Sequence, residues 1–241
     1  MPAKDKKHGF LKKWLRLIVR VVLFLFTIHL LYLILLIWVM PPITLTQISG
    51  ILAGDGYKQK NIYLKNINPQ TALAFIASED QRFAEHNGFD WESIQKAIEH
   101  NKENPDRVRG ASTISQQVAK NVFLWQGRSW FRKGLEMYST FMIELFWSKR
   151  RILEIYLNVA ETGRGIYGIE AAAQHYFRKP ASKLTNTEAA RIVACLPNPK
   201  VYSVAKPGPF VKRRTQWILR QMQFLRGEPN IESLLFKAQT K

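Results

Sequence analysis

The sequence contains little cysteine and little negative charge. Cys195 is the only cysteine among 241 residues, so the chain can form neither an internal disulfide nor a cysteine-based metal cluster. Asp and Glu number 18 against 36 Lys and Arg, which gives a formal net charge of +18. Such a field attracts anionic partners. The alternative is a solvated basic surface that only keeps the chain soluble.

One long stretch has no charge at all. Residues 21–40, VVLFLFTIHLLYLILLIWVM, contain no Lys, Arg, Asp or Glu. Twenty helical residues at ~1.5 Å each cover the ~30 Å apolar core of a bilayer. The run ends at Met40-Pro41-Pro42 without a small-residue cleavage site, so it predicts an uncleaved transmembrane anchor rather than a signal peptide.

The flanks of this span predict its orientation. Seven of the Lys and Arg residues and one acid lie in residues 1–20, whereas the first basic residue after the span is Lys58. The positive-inside rule therefore makes residues 1–20 a cytoplasmic basic tail and places the rest of the chain outside. Residues 41–241 keep a charge of +12. Nucleic acid is excluded on that side, and the lipid bilayer with its anionic head groups is the expected partner.

The remaining chain is expected to be mainly α. Residues 41–68 read as a connector with few helix signals, residues 69–225 as a helical domain and residues 226–241 as a frayed tail. Asp90 is a predicted N-cap, and Thr113 and Thr185 begin capping-box patterns. No alternating strand pattern and no internal repeat is present.

The stretch FIASEDQRFAEHNGFDW, residues 75–91, ends an apolar helical run on Glu79 and Asp80. A carboxylate beside apolar packing loses water, which favours proton uptake and suits a general base. Asp80 points ~100° away on a helix, so it is expected to pair with a cation or cap backbone groups. The alternative is two solvated acids at a helix end.

A second stretch, RVRGASTISQQVAKNVF, has the pattern of an anion site. Arg109 to Ser112 lead into a helix that begins near Thr113, and helix N-termini bind phosphates. Thr113, Gln117 and Lys120 are spaced i, i+4, i+7 and so predict one polar line suited to a pyrophosphate. The alternative is an amphipathic helix with a wet face.

A third stretch, residues 129–147, combines charges with aromatic side chains. Arg132 and Glu136 are four residues apart, so an exposed helix ion pair is the simplest interpretation. The surrounding aromatics either pack in the core or insert at the membrane interface. They are Trp125, Trp130, Phe131, Phe141, Phe146 and Trp147.

Four motifs, EDQRFAEHNGFD, RGASTISQQVAKN, RKGLE and KRRILEIYLN, occur in this order. Together they resemble the peptidoglycan glycosyltransferase family over residues 70–223, and the anchor with nothing after the domain is similar to its monofunctional members. The resemblance implies a lysozyme-like fold and polymerisation of lipid II, a disaccharide-pentapeptide on undecaprenyl pyrophosphate. It also implies the bacterial inner membrane, with the catalytic domain periplasmic. At Arg178 the sequence departs from the glycine that many family members carry. This departure is expected to affect only a local turn.

The resemblance also implies roles for individual residues. Glu79 matches the general base that takes the proton of the acceptor sugar's 4-hydroxyl, and Glu136 matches a second functional glutamate. Lys120 would neutralise the leaving pyrophosphate, and the fourth motif, with Glu154 and Asn158, would be structural. The full expected substrate-binding set is Asp80, Phe83, His86, Arg109, Ser112, Thr113, Gln117, Lys120, Arg132 and Lys133.

No spacing of residues demands a cofactor or metal, although Asp80 or Glu136 could bring a divalent cation such as Mg²⁺ or Mn²⁺ to the pyrophosphate. The expected partners are lipid II, the growing glycan chain, the bilayer and other cell-wall synthesis proteins. A membrane-anchored lytic enzyme is the main alternative, because glycosidases use the same kind of carboxyl group. The second alternative is a non-catalytic scaffold.

Overall fold

A computed structural model describes residues 3–106, 108–127 and 129–236. The chain forms two compact units, residues 1–39 and 40–241. The first unit is a single helix, α1 (Ala3–Leu35), in which Lys12–Leu35 is long and apolar enough to cross a membrane. The apolar span was predicted to run to residue 40, but the helix ends five residues earlier.

The second unit is mainly α, as predicted. Its helices in the described part of the chain are α2 (Leu45–Leu52), α3 (Pro69–Glu79), α4 (Trp91–Glu103), α5 (Ile114–Phe123), α6 (Trp130–Phe146), α7 (Lys149–Val159), α8 (Ile169–Phe177), α9 (Asn186–Val193), α10 (Pro209–Leu225) and α11 (Pro229–Leu235). Two short 3₁₀ helices, Leu64–Asn66 and Ala181–Lys183, complete the helical part.

Local capping signals set several helix ends. Asp90 accepts a hydrogen bond from the backbone N–H of Ser93 and begins α4. Thr113 and Thr185 both form the reciprocal bonds of a capping box at the starts of α5 and α9. These three predictions are confirmed, because each side chain satisfies an N–H group that the helix itself leaves unpaired.

The centre of the second unit is α3. Its residues 71–77 are all buried, and the helix packs against α9 and α10 while α5 packs against α6 and α7. The ring of Phe75 meets that of Tyr156 edge to face at 5.9 Å. The apolar run that precedes Glu79 is therefore the central core helix, and it delivers that carboxylate to the edge of the core.

A small sheet was not foreseen. Strands β1 (Lys58–Gln59), β2 (Glu161–Gly163) and β3 (Ile166–Tyr167) lie in the order β1-β3-β2, with β1 parallel and β2 antiparallel to β3. Strands of two or three residues are too short to show an alternating pattern. Gly165 sits between β2 and β3 at φ 66°, where a Cβ would lie 2.2 Å from the Asp55 carbonyl oxygen.

Two further expectations need correction. The predicted connector contains α2, which a capping box between Thr44 and Gln47 begins. The predicted frayed tail contains α11, whose Ile231, Leu234 and Leu235 are buried. Both segments are held by contacts with distant residues, which local sequence does not report. The last residues of the tail, 237–241, lie outside the described residues.

Arg178 lies in a turn, as expected. Arg178 is the C-cap of α8 and adopts φ 56°, ψ 35°. This left-handed conformation costs a residue with a Cβ roughly 1–2 kcal/mol, which explains why glycine suits the position.

Candidate active site

Glu79 is the last residue of α3 and is half-buried. Its Oε1 accepts a hydrogen bond from the Ser78 hydroxyl at 2.9 Å, and its Oε2 accepts one from the Gln117 Nε2 at 3.1 Å. The buried Tyr156 hydroxyl donates to the Gln117 Oε1 at 3.0 Å, which directs the amide N–H₂ toward Glu79. Both carboxylate oxygens are thus held by donors, which fixes the orientation of the carboxylate.

Arg214 of α10 extends this network. Its Nη2 donates to both the carbonyl oxygen and the hydroxyl of Ser78 at 3.2 Å, and its guanidinium lies 4.2 Å from the centre of the Trp217 ring. Burial lowers the pKa of Arg214, and the charge of Glu79 opposes that effect. The sequence did not predict roles for Ser78, Tyr156 and Arg214. Ser78 directly precedes the first motif and Tyr156 lies in the fourth, but nothing local marks Arg214.

Asp80 follows α3 as its C-cap, and its side chain has partners different from those of Glu79. Its two oxygens lie 2.9 and 3.1 Å from the His86 Nε2, and Oδ2 also accepts the backbone N–H of Ile114 at 2.9 Å. Asp80 therefore pairs with a ring nitrogen and caps the first turn of α5. The prediction that Asp80 caps backbone groups is confirmed, whereas its side-chain partner is a histidine ring and not Lys or Arg.

At the start of α5, where a phosphate site was predicted, several hydrogen-bond donors are already occupied. The Thr113 hydroxyl accepts from the Gln116 N–H at 3.2 Å and donates to the Gly88 carbonyl at 2.7 Å. The Ile114 N–H donates to Asp80. The donors named here at the N-terminus of α5 are therefore already paired with oxygens of the protein. Thr113 is 2% exposed, so it is a buried cap and does not continue the polar line of Gln117 and Lys120.

Lys120 brings a largely buried positive charge to this region. Burial lowers the pKa of Lys120; the nearby Glu136 carboxylate opposes that effect, and the cations Arg132 and Lys133 reinforce it. Among residues 3–106, 108–127 and 129–236, no carboxylate lies within ion-pair distance of the Lys120 Nζ. The ammonium is available to an anionic ligand.

Glu136 is buried and bound to two cations. Arg132 Nη1 lies 3.0 Å from Oε2 and Lys133 Nζ lies 2.5 Å from Oε1, with the Glu136 side chain only 5% exposed. The simple interpretation of Arg132 and Glu136 as an exposed helix pair is wrong, because α6 turns this cluster toward α5.

Phe83 and His86 support the site rather than line it. Phe83 is fully buried and the Lys149 ammonium lies 4.6 Å from its ring centre. The His86 side chain is 8% exposed and contacts Asp80. The expectation that these two side chains touch substrate is not supported by their burial, and their contacts position Asp80 instead.

Glu79 and Gln117, which share a hydrogen bond, line two different cavities. The first, about 410 Å³, is lined by the end of α3, by α4 and by the segment 109–113, and includes Glu79, Arg109 and Ser112. The second, about 540 Å³, includes Gln117, Lys120 and Tyr156, and also Glu161 and Lys200. One carboxylate between two polar cavities can serve two substrates that react with each other.

The acids proposed for a divalent cation do not fit one. Asp80 is bound by His86 and a backbone N–H, and Glu136 by two cationic side chains. In the part of the chain that the structure describes, no group of three or more His, Cys, Asp or Glu side chains could hold a metal ion.

The fourth motif is structural, as the sequence analysis expected. Asn158 is fully buried; its Oδ1 accepts the Ile62 N–H at 2.8 Å, and its Nδ2 donates to the carbonyls of Ile62 and Glu154. Glu154 accepts the Leu64 N–H at 2.7 Å. The motif fastens the segment before α3 to α7.

Most of the expected aromatic cluster is exposed. Trp130 is 92% exposed, Phe131 72% and Phe141 59%. Trp147, by contrast, is 4% exposed and packs against Phe123 at 6.1 Å. The interpretation of Trp147 as an interfacial residue is wrong, whereas the first turn of α6 and one of its faces present a large apolar surface.

Comparison with known proteins identifies the family. Residues 46–223 match the sequence model described as Transglycosylase. The chain is 60% identical over 168 residues to proteins named biosynthetic peptidoglycan transglycosylase from Shigella boydii serotype 4, Shigella sonnei and Escherichia coli K12. The match covers 70% of this chain and 69% of each relative. The chain belongs to the transglycosylase family, whose domain has the lysozyme-like, mainly α fold that the sequence predicts.

Proposed function

We propose that this transglycosylase polymerises lipid II into the β-1,4-linked glycan strands of peptidoglycan and releases undecaprenyl pyrophosphate, with Glu79 as the general base. The observation that carries the proposal is the placement of Glu79, which receives two donors, near the ammonium of the largely buried Lys120, which has no ion-pair partner among the described residues. A transfer that takes up a proton at one point and releases a pyrophosphate at another needs this combination.

The 4-hydroxyl of the acceptor sugar gives its proton to the Glu79 carboxylate while its oxygen bonds to the anomeric carbon of the growing chain. The bond between that carbon and the pyrophosphate oxygen breaks, and its electron pair leaves with the lipid pyrophosphate. Attack opposite to the leaving group converts an α-linkage into a β-linkage.

Lys120 stabilises the leaving group. Negative charge develops on the pyrophosphate as the bond breaks, and a pre-placed cation in a site with little water lowers the energy of that state. Arg132 and Lys133 lie beside Lys120 and are held in place by Glu136. Glu136 thus acts on the reaction through the two cations it positions.

The substrate's lipid carrier places the reaction at a bilayer. Helix α1 is the anchor, with residues 1–20 cytoplasmic and the catalytic domain periplasmic, as the seven basic residues before the span predict. The exposed apolar side chains of α6 would enter the outer leaflet, where amphipathic aromatics are favoured. Other cell-wall synthesis proteins are also proposed as partners, and this proposal rests only on the function proposed here.

The lytic alternative fits the site less well. A lytic enzyme needs a protonated carboxyl group to protonate the departing sugar oxygen, whereas the groups that contact Glu79 are donors. The linkages in a finished glycan are uncharged and give Lys120 nothing to neutralise. A scaffold would need neither feature.

Incubation of the detergent-solubilised protein with labelled lipid II tests the proposal. Products are separated by size before and after digestion with a muramidase. Long chains that the muramidase shortens are the expected result. Absence of polymer together with shortening of preformed glycan would establish the lytic alternative.

A further inference from the structure

We propose that Arg214 is a positioning residue for the transfer reaction, and that it acts through Ser78 to hold the Glu79 carboxylate in place. The proposal rests on the role of Glu79 as the base given above. Arg214 itself lines neither of the two cavities, and its two contacts with Ser78, which lines the first cavity, are its link to Glu79.

The geometry fixes Ser78 from two sides. One Arg214 nitrogen, Nη2, lies 3.2 Å from both the carbonyl oxygen and the hydroxyl oxygen of Ser78. Because the guanidinium can only donate, the hydroxyl accepts from Arg214 and its own hydrogen is directed to the Glu79 Oε1 at 2.9 Å. The carbonyl contact holds the last turn of α3 at the same time.

The Arg214 side chain is itself held rigidly. Its guanidinium lies over the Trp217 ring one turn along α10, and its Nε is buried without a hydrogen-bond partner among the described residues. A buried unpaired N–H is unfavourable, so stability alone does not account for an arginine here. An uncharged side chain of similar length would fill the space without that penalty.

The second oxygen of Glu79 is held in a parallel way. Tyr156 orients Gln117, and Gln117 donates to Oε2, just as Arg214 orients Ser78 and Ser78 donates to Oε1. Each oxygen therefore has a donor and each donor has its own orienting group. Only the Arg214 side of this arrangement brings a formal positive charge.

The charges around Glu79 determine what removal of Arg214 should do. Arg214 and Lys120 both interact with Glu79 electrostatically, and the buried Tyr156 phenol faces both Glu79 and Asp80. Beyond Lys120 lie the mutually paired Glu136, Arg132 and Lys133. Loss of the Arg214 charge leaves Lys120 as the remaining cation and favours the protonated, inactive form of the base.

The test compares the full-length wild type, Arg214→Met, Arg214→Lys, Ser78→Ala and the double variant in the lipid II assay across pH. For Arg214→Met we expect kcat to fall by roughly 10- to 100-fold, KM to stay within about twofold of wild type, and the acid limb of the pH–rate profile to move to higher pH. Arg214→Lys restores the position of the acid limb. The double variant should lose little more than Arg214→Met, because the two residues form one chain of contacts.

Arg213→Met is the matched control, since it removes the same charge from the neighbouring, exposed position of α10 and should keep wild-type kinetics. An Arg214→Met profile reduced equally at every pH, with a lowered melting temperature, would show a merely structural role and overturn the proposal. So would multiplicative losses in the double variant. A wild type that makes no polymer, or an active Glu79→Gln, would instead overturn the proposed function itself.

Discussion

At the scale of single residues, the site places a charge where folding alone would not. Lys120 is largely buried, its pKa is lowered by that burial, and it has no carboxylate at ion-pair distance among the described residues. A buried charge without a close partner costs folding free energy. Its presence is explained by a ligand that supplies the missing negative charge.

Lys120→Met should therefore change stability and activity in opposite directions. We expect the unfolding free energy to rise by about 1 kcal/mol and the melting temperature by about 2–4 °C, while polymerisation falls by roughly 10²–10³-fold. Lys183→Met, at an exposed position, should change neither. A destabilised and inactive Lys120→Met would contradict the account, because it would make Lys120 a structural cation.

The difference in stability between wild type and Lys120→Met should depend on pH. A lysine with a lowered pKa binds its proton less tightly in the folded state than in the unfolded state. The penalty from Lys120 is thus fully present at neutral pH and disappears as pH rises through the lowered pKa toward the ordinary value. Melting curves of wild type and Lys120→Met should converge at high pH; a constant difference would contradict this origin.

Single residues also show what sequence can and cannot reveal about the site. Glu79, Gln117 and Lys120 lie in motifs and were found without coordinates. Arg214 was not, because it reaches Ser78 across 136 residues of chain. The burial of Thr113 was missed for a related reason, since a capping threonine and a ligand-binding threonine look alike in sequence.

At the scale of elements, the features predicted correctly from the sequence are those that nearby residues determine. The starts of α4, α5 and α9 follow from capping side chains within three residues. The small sheet and helices α2 and α11 depend on distant contacts instead. Asn158, for example, binds both backbone groups of Ile62 from 96 residues away, and no local pattern signals that.

Asn158→Ala tests the structural role of the fourth motif. The substitution leaves the N–H and carbonyl of Ile62 without partners, so we expect a loss of about 1–3 kcal/mol of stability. Thermal unfolding measures it, with the exposed Asn66→Ala as control. Activity per folded molecule should remain near wild type below the melting transition; a large loss there would assign the motif a direct role.

The apolar face of α6 makes a separate prediction. Trp130, Phe141 and Leu145 are 92%, 59% and 62% exposed, and their removal should weaken membrane binding more than folding. We expect Trp130→Ser with Phe141→Ser to lower sedimentation of the 41–241 fragment with lipid vesicles. Phe224→Ser, which removes an equally exposed ring (73%) from α10, is the control. Equal losses from both changes would contradict a specific role of α6.

At the scale of the whole molecule, the chain divides into an N-terminal helix with a long apolar span and a compact basic domain. The 41–241 fragment should unfold cooperatively and bind vesicles with anionic lipids weakly, since it carries a charge of +12. Raising the salt concentration should reduce that binding, because salt screens surface charge. A fragment that stays wholly in buffer would contradict membrane contact outside α1.

The most direct test of the central claim is the rate of lipid II polymerisation by Glu79→Gln. The amide keeps the size of the side chain but cannot take the proton, so we expect a fall of roughly 10²–10⁴-fold, with a melting temperature close to that of wild type. Glu103→Gln, at an exposed position, is the control and should be fully active. A Glu79→Gln rate within a few-fold of wild type would contradict the role of Glu79 as the base.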